Sequence, residues 1–167
     1  SSTYTTTQHT VPLIISGKDT DDTHRITVRA QKGRRPVIAN SADAIHVLND
    51  YVTITGLDIR DNDQSGIYVR NVRGVVISGN RIYSTNPTAD ANNQQYGGIN
   101  LESGSDFTIA NNILSDNVVG IRATRSSESV HHYNNTLHAS PLSTASQVVK
   151  LFEFGDEWGF PIGRDLQ

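Results

Sequence analysis

The 167-residue chain contains no cysteine and no methionine. Without cysteine there is no disulfide framework and no thiolate metal site. The missing methionine, at position 1 included, reads as the mark of a processed or excised piece, and no signal peptide is visible. A basic block is also missing. Net charge is −3, which argues against a phosphate-driven nucleic-acid surface. The longest apolar run, Val11–Ile15, falls far short of a membrane span. Hydrophobic residues make up 35% and charged residues 19%, both low for an ordinary compact domain. Ser, Thr, Asn and Gly fill the difference, as they do in chains of short strands and turns. Neither nucleic acid nor membrane is expected as a partner.

What the chain does have is a repeated phrase. "GIYV" (Gly66–Val69), "GINL" (Gly98–Leu101) and "GIRA" (Gly120–Ala123) share one pattern. Ile45, Ile67, Ile99 and Ile121 lie about 22, 32 and 22 residues apart. A second column keeps step: Val52–Ile54, Val75–Ile77, Phe107–Ile109 and Val130–His132. A third follows at Gly56–Ile59, Gly79–Ile82, Asn111–Leu114 and Asn134–Leu137. Each unit holds three short strands with alternating apolar and polar positions, punctuated by Gly, Asn and Asp. No window sustains helical spacing, and two-residue hairpin signals are missing. The pattern predicts an all-β coil whose strands pair in parallel with their counterparts one repeat later, stacked about 4.8 Å apart. Asn80, Asn112 and Asn135 share one register and are expected to form a hydrogen-bonded ladder. About five to six coils form a single domain over residues 1–167, with a repeat core of about 25–151. The tail 152–167, with Trp158, Phe160 and Pro161, reads as a covering flap.

The phrase "GI-x-V … V-x-I-x-G-N-x-I" resembles the right-handed parallel β-helix repeat of the pectate-lyase-like superfamily. Arg25–Ile59 resembles the N-terminal coils of secreted β-helix polysaccharide lyases. The resemblance implies a secreted or cell-surface protein of bacterial type. It implies as partner an acidic polysaccharide or oligosaccharide, and a function among carbohydrate-active β-helices.

With the isoleucines inward, the next residues face outward in one stripe: His46, Tyr68, Asn100, Arg122 and, by spacing, Lys150. A parallel row holds Arg70, Glu102 and Thr124. The other faces present Thr53, Val76, Thr108 and His131, and Asp58, Arg81, Ile113 and Thr136. Only the first stripe is rich in proton-transfer groups and cations. Eliminating a 4-linked uronate needs a neutralised carboxylate, a base for the C5 proton and an acid for the leaving oxygen. Arg70 and Arg122 suit the first role. Tyr68 or His46 can serve as base or acid, with Lys150 next. Asn100 and Glu102 are substrate-binding candidates, as are Gln95 and Tyr96 from the inserted segment Ser84–Gly98. "YGGINLES" (Tyr96–Ser103) is similar to the Tyr-Gly-Ile-Asp-Pro-His-Asp phrase of β-helix uronate epimerases. Asn100 stands where that phrase has Asp and Glu102 where it has His, which argues against that chemistry.

Hydrolysis would need paired carboxylates, and the stripe offers Glu102 alone. No metal site is expected from the histidines and no cofactor is required. Calcium is the one ion with acidic turns to meet it, at Asp58, Asp61 and Asp63 or at Asp19, Asp21 and Asp22. Two readings therefore stand: a polysaccharide lyase acting by β-elimination, and a non-catalytic glycan-binding or structural β-helix segment, tailspike-like or truncated. "SSTYTTTQHT" (Ser1–Thr10) offers no helical cap, so the expectation is either association through an uncapped coil end, with another protein or a second copy, or a cap supplied by a longer chain.

Overall fold

A computed structural model describes residues 12–39, 41–85, 96–124, 127–139 and 147–153. Each coil contributes three strands. The first has β1 (Leu13–Ile15), β2 (Ile26–Arg29) and β3 (Val37–Ala39). The second has β4 (Ile45–Val47), β5 (Val52–Thr55) and β6 (Asp58–Arg60). The third has β7 (Ile67–Arg73), β8 (Val76–Ser78) and β9 (Arg81–Tyr83). The fourth has β10 (Ile99–Ser105), β11 (Phe107–Ala110) and β12 (Ile113–Asn117). The fifth has β13 (Val119–Thr124), β14 (Val130–Tyr133) and β15 (Thr136–Ala139), and β16 (Gln147–Glu153) opens a sixth. Every third strand joins the same parallel sheet. Sheet A runs β1-β4-β7-β10-β13-β16, sheet B β2-β5-β8-β11-β14 and sheet C β3-β6-β9-β12-β15. The protein is a parallel β-helix, as the spacing predicts, of the right-handed kind that the resemblance implies.

Pairing follows the repeat columns. Ile45 meets Ile67, Ile67 meets Ile99 and Ile99 meets Ile121. All four are fully buried, as are Ile54, Ile59, Ile82 and Ile109. Each such side chain contributes about 1.5–3 kcal/mol by leaving water. β1 adds a rung the spacing did not include, with Leu13 opposite Ile45. Its strand lies within the apolar run Val11–Ile15.

The corners explain the turn residues. Gly56, Gly79, Asn111 and Asn134 open the passage from sheet B to sheet C with φ of 74°, 65°, 56° and 52°. This left-handed region is open to Gly and tolerated by Asn, but costs other residues roughly 1 kcal/mol or more. The glycine of the repeated phrase answers a different need. A Cβ on Gly66 would lie 2.6 Å from the Gly98 carbonyl oxygen and 2.6 Å from Ile82 Cγ2. The corner is too tight for a side chain there.

The asparagine ladder forms as expected. Asn112 Oδ1 accepts from the Asn80 backbone N–H at 3.0 Å and from Asn80 Nδ2 at 3.2 Å. Asn135 Oδ1 does the same for Asn112, at 3.0 Å in both bonds. Each Nδ2 also donates to a core carbonyl: Asn80 to Ile54, Asn112 to Ile77 and Asn135 to Ile109. A second polar column, unseen in the spacing, lies at the next corner. Ser41 and Thr85 donate backbone N–H to Asn62 and Asn117 respectively, and all four are buried.

Candidate active site on the outer face of sheet A

Strand alternation turns His46, Tyr68, Asn100 and Arg122 outward on successive rungs. Their register is His46 opposite Tyr68, Tyr68 opposite Asn100 and Asn100 opposite Arg122. Lys150 continues the line opposite Arg122, but its side chain lies outside the described structure. The four line one cavity of about 410 Å³ together with Asp43, Gln64, Tyr96, Glu102 and Thr124.

Two proton-transfer pairs sit side by side in it. His46 Nε2 lies 2.7 Å from Asp43 Oδ2. Asp43 is held from behind: its Oδ1 accepts the Ser65 backbone N–H at 2.8 Å, and its carbonyl accepts the Ser41 hydroxyl at 2.7 Å. A carboxylate only accepts, so Nε2 carries the proton in the neutral ring and Nδ1 keeps the lone pair. The Tyr68 hydroxyl donates to Glu102 Oε2. The His46 and Tyr68 ring centroids are 5.1 Å apart, tilted at 58°. Burial, with the Glu102 hydrogen bond and charge behind it, pushes the Tyr68 phenol up to about 12. Tyr68 is therefore a neutral proton donor at ordinary pH, not a resting base.

Arg122, 8% exposed, donates from Nη1 to Asn100 Oδ1 at 3.0 Å. Asn100 is buried as well. Their guanidinium and amide form the polar wall next to the two pairs. Arg70 stands opposite Glu102 but is exposed and does not line the cavity. Its charge still favours the Tyr68 phenolate, against the larger opposing effects. Tyr96 reaches the cavity from the segment before β10. Gln95, the rest of the insertion over 86–95 and the flap residues Trp158, Phe160 and Pro161 lie outside the described residues.

Asp43 and Gln64 were missed by the spacing argument. Both precede a strand, where side-chain alternation gives no direction. The readable signal was Asp43 three residues before His46. Asp43 adds a second carboxylate to the cavity, but both its oxygens are already engaged.

Four of the six aspartates in the acidic turns have protein partners. Asp58 pairs with Arg35 at 3.1 Å, Asp61 with Arg60 at 3.1 Å and Asp22 with Arg25 at 2.9 Å. Asp21 accepts from the Thr23 hydroxyl and backbone, which holds its carboxyl down to about 2. Among the described residues, no group of three or more His, Cys, Asp or Glu is arranged to hold a metal.

Among the described residues, sixteen parallel strands wound into three sheets, with polar ladders at the corners, define a solenoid of the β-helix class. The family model described as "Right handed beta helix region" matches residues 16–149, and the chain belongs to that family. The match is to the β-helix region as such and carries no activity with it. No curated protein and no solved structure matches the chain significantly.

Proposed function

We propose that this β-helix is a polysaccharide lyase that cleaves an acidic, uronate-containing polysaccharide by β-elimination. The observation that supports it is the pairing of Asp43–His46 with Tyr68–Glu102 beside the buried guanidinium of Arg122 in a single cavity. His46, oriented by Asp43, takes the proton next to the uronate carboxylate. Arg122 lowers the cost of the carbanionic charge that develops on that carboxylate. Tyr68 protonates the departing oxygen, and its high pKa matches it to an alkoxide leaving group. Arg70, at the rim, attracts the anionic chain. Paired-carboxylate hydrolysis is less well supported, because Asp43 is bound to His46 and Ser65 and Glu102 to Tyr68.

A second reading, glycan binding without turnover, draws on one observation: Tyr68 and Arg122 are each hydrogen-bonded to a neighbouring side chain. The test of both is a panel of uronate polysaccharides followed by the ultraviolet absorbance of the unsaturated product. Product formation that His46→Ala and Tyr68→Phe abolish is the expected result. Saturable binding with no product on any polymer would sink the lyase reading and leave the binding one.

A further inference from the structure

We infer that the elimination is syn, so that the substrate is a 4-linked D-mannuronate or D-glucuronate chain and not a galacturonate or guluronate chain. The inference rests on the lyase reading above and adds the substrate's stereochemical class. It follows from where the two proton-transfer side chains stand. His46 and Tyr68 project from neighbouring strands β4 and β7, directly opposite each other in register. Their rings are 5.1 Å apart. Both rise from the same sheet, so a sugar ring lying over this wall shows them one and the same face. Asp43 and Glu102 fix the two side chains from the flanks, so neither is free to swing to the far side.

The chemistry then constrains the sugar. His46 Nδ1 removes the C5 proton, and the electron pair left at C5, shared with the neutralised carboxyl group, forms the C4–C5 double bond. The C4–O4 bond breaks, and O4 takes the proton from the Tyr68 hydroxyl, which turns from Glu102 to O4. Solvent returns a proton to Tyr68 and removes one from His46, so no other reactant is consumed. Base and acid on one wall reach C5–H and O4 together only if those bonds lie on the same ring face. They do in mannuronate and glucuronate. They lie on opposite faces in galacturonate, the C4 epimer of glucuronate, and in guluronate, the C5 epimer of mannuronate. Those sugars need a donor on the opposite side of the ring. Tyr96, the other phenol in the cavity, comes from the segment before β10 and not from the sheet, and it defines the competing outcome.

The experiment uses the full chain with four defined polymers: polymannuronate, β-1,4-glucuronan, polygalacturonate and polyguluronate. Unsaturated product is read by ultraviolet absorbance. The expected result is turnover of at least one of the first pair, faster by about a hundredfold than either of the second. That gap is the worth of one general acid out of reach. Turnover confined to polygalacturonate or polyguluronate overturns the syn assignment and leaves the lyase reading standing. Equal rates on both pairs also overturn it. No product from any of the four removes the lyase reading, and this inference with it.

Discussion

The two faces of sheet A are built on the same strands and follow opposite rules. Inside, one rung after another presents isoleucine: Ile45, Ile67, Ile99 and Ile121, each fully buried. One residue further along, the outer face presents His46, Tyr68, Asn100 and Arg122, four different chemistries in the same register. In the middle coils the inner position meets nearly the same surroundings, with an aliphatic side chain above and below, so one side chain fits them. The outer position meets solvent or a cavity and is under no packing demand to repeat. Sheet B sharpens the contrast. Its outer row runs Thr27, Thr53, Val76, Thr108 and His131, small side chains except for a single exposed imidazole on the last coil.

The largest effect that would break this comparison is on turnover. His46→Ala or Tyr68→Phe should lower kcat by about 10²–10⁴-fold while the thermal midpoint stays close to that of the parent. A parallel collapse of both quantities would mean that the outer face is serving stability and not chemistry.

The inner side gives the converse. Asn112→Ala removes the acceptor of Asn80 and the donor to Ile77 and Asn135 at once. Stranding buried groups of this kind costs about 3 kcal/mol, to be read from denaturant unfolding. A loss under about 1 kcal/mol would show that water or a corner rearrangement replaces the ladder.

Tyr68 offers a smaller, pH-dependent effect. Its folded pKa is raised from 10.0 to about 12, so the folded state holds the phenolic proton more tightly than the unfolded chain does. The resulting stability is complete below about pH 10 and is lost as pH rises toward about 12. Tyr68→Phe should lack this decline, so parent and variant, alike near neutral pH, should diverge only in that window, the parent losing stability that the variant keeps. Superimposable pH dependence would place the Tyr68 hydroxyl in water, away from Glu102.

The smallest effect is on sheet B. Thr108→Ala should change stability by no more than about 0.5 kcal/mol and leave turnover untouched. A marked loss of turnover would move the functional face.

The fold was readable because packing repeats. Columns beginning at Ile45, Val52 and Gly56 advance together through a solenoid, and alternation alone then assigns His46, Tyr68, Asn100 and Arg122 to the outside. The parts that escaped are those that do not repeat in identity. Asp43 and Gln64 sit before strands, where direction comes from the corner and not from alternation. The second polar column is spelled Ser41, Asn62, Thr85 and Asn117, four positions sharing hydrogen-bonding capacity across three residue types. Tyr51 holds φ of 52°, a place where composition would predict Gly or Asn. The Arg25 and Arg73 guanidinium groups lie 5.7 Å and 5.4 Å from its ring centroid, which no local pattern announces. β1 was hidden by the distance from Leu13 to Ile45, lengthened by the segment between β1 and β2, whose Lys18 backbone N–H is tied to Asn49.

The Gly66–Gly98–Gly120 corner also bears on how such a chain can change its length by inheritance. From one of these glycines to the next, the backbone completes one circuit and returns to the same place in the cross-section, one rung further on. An in-frame duplication of Gly98–Val119 would therefore give every interior column one more copy of a residue it already accepts. Each sheet would gain one strand and the outer groove would extend by about 4.8 Å. A duplication that is not a whole circuit would carry each strand onto the wrong sheet. For this architecture the heritable unit of growth is the circuit, and a longer groove requires no new solution to the problem of the core.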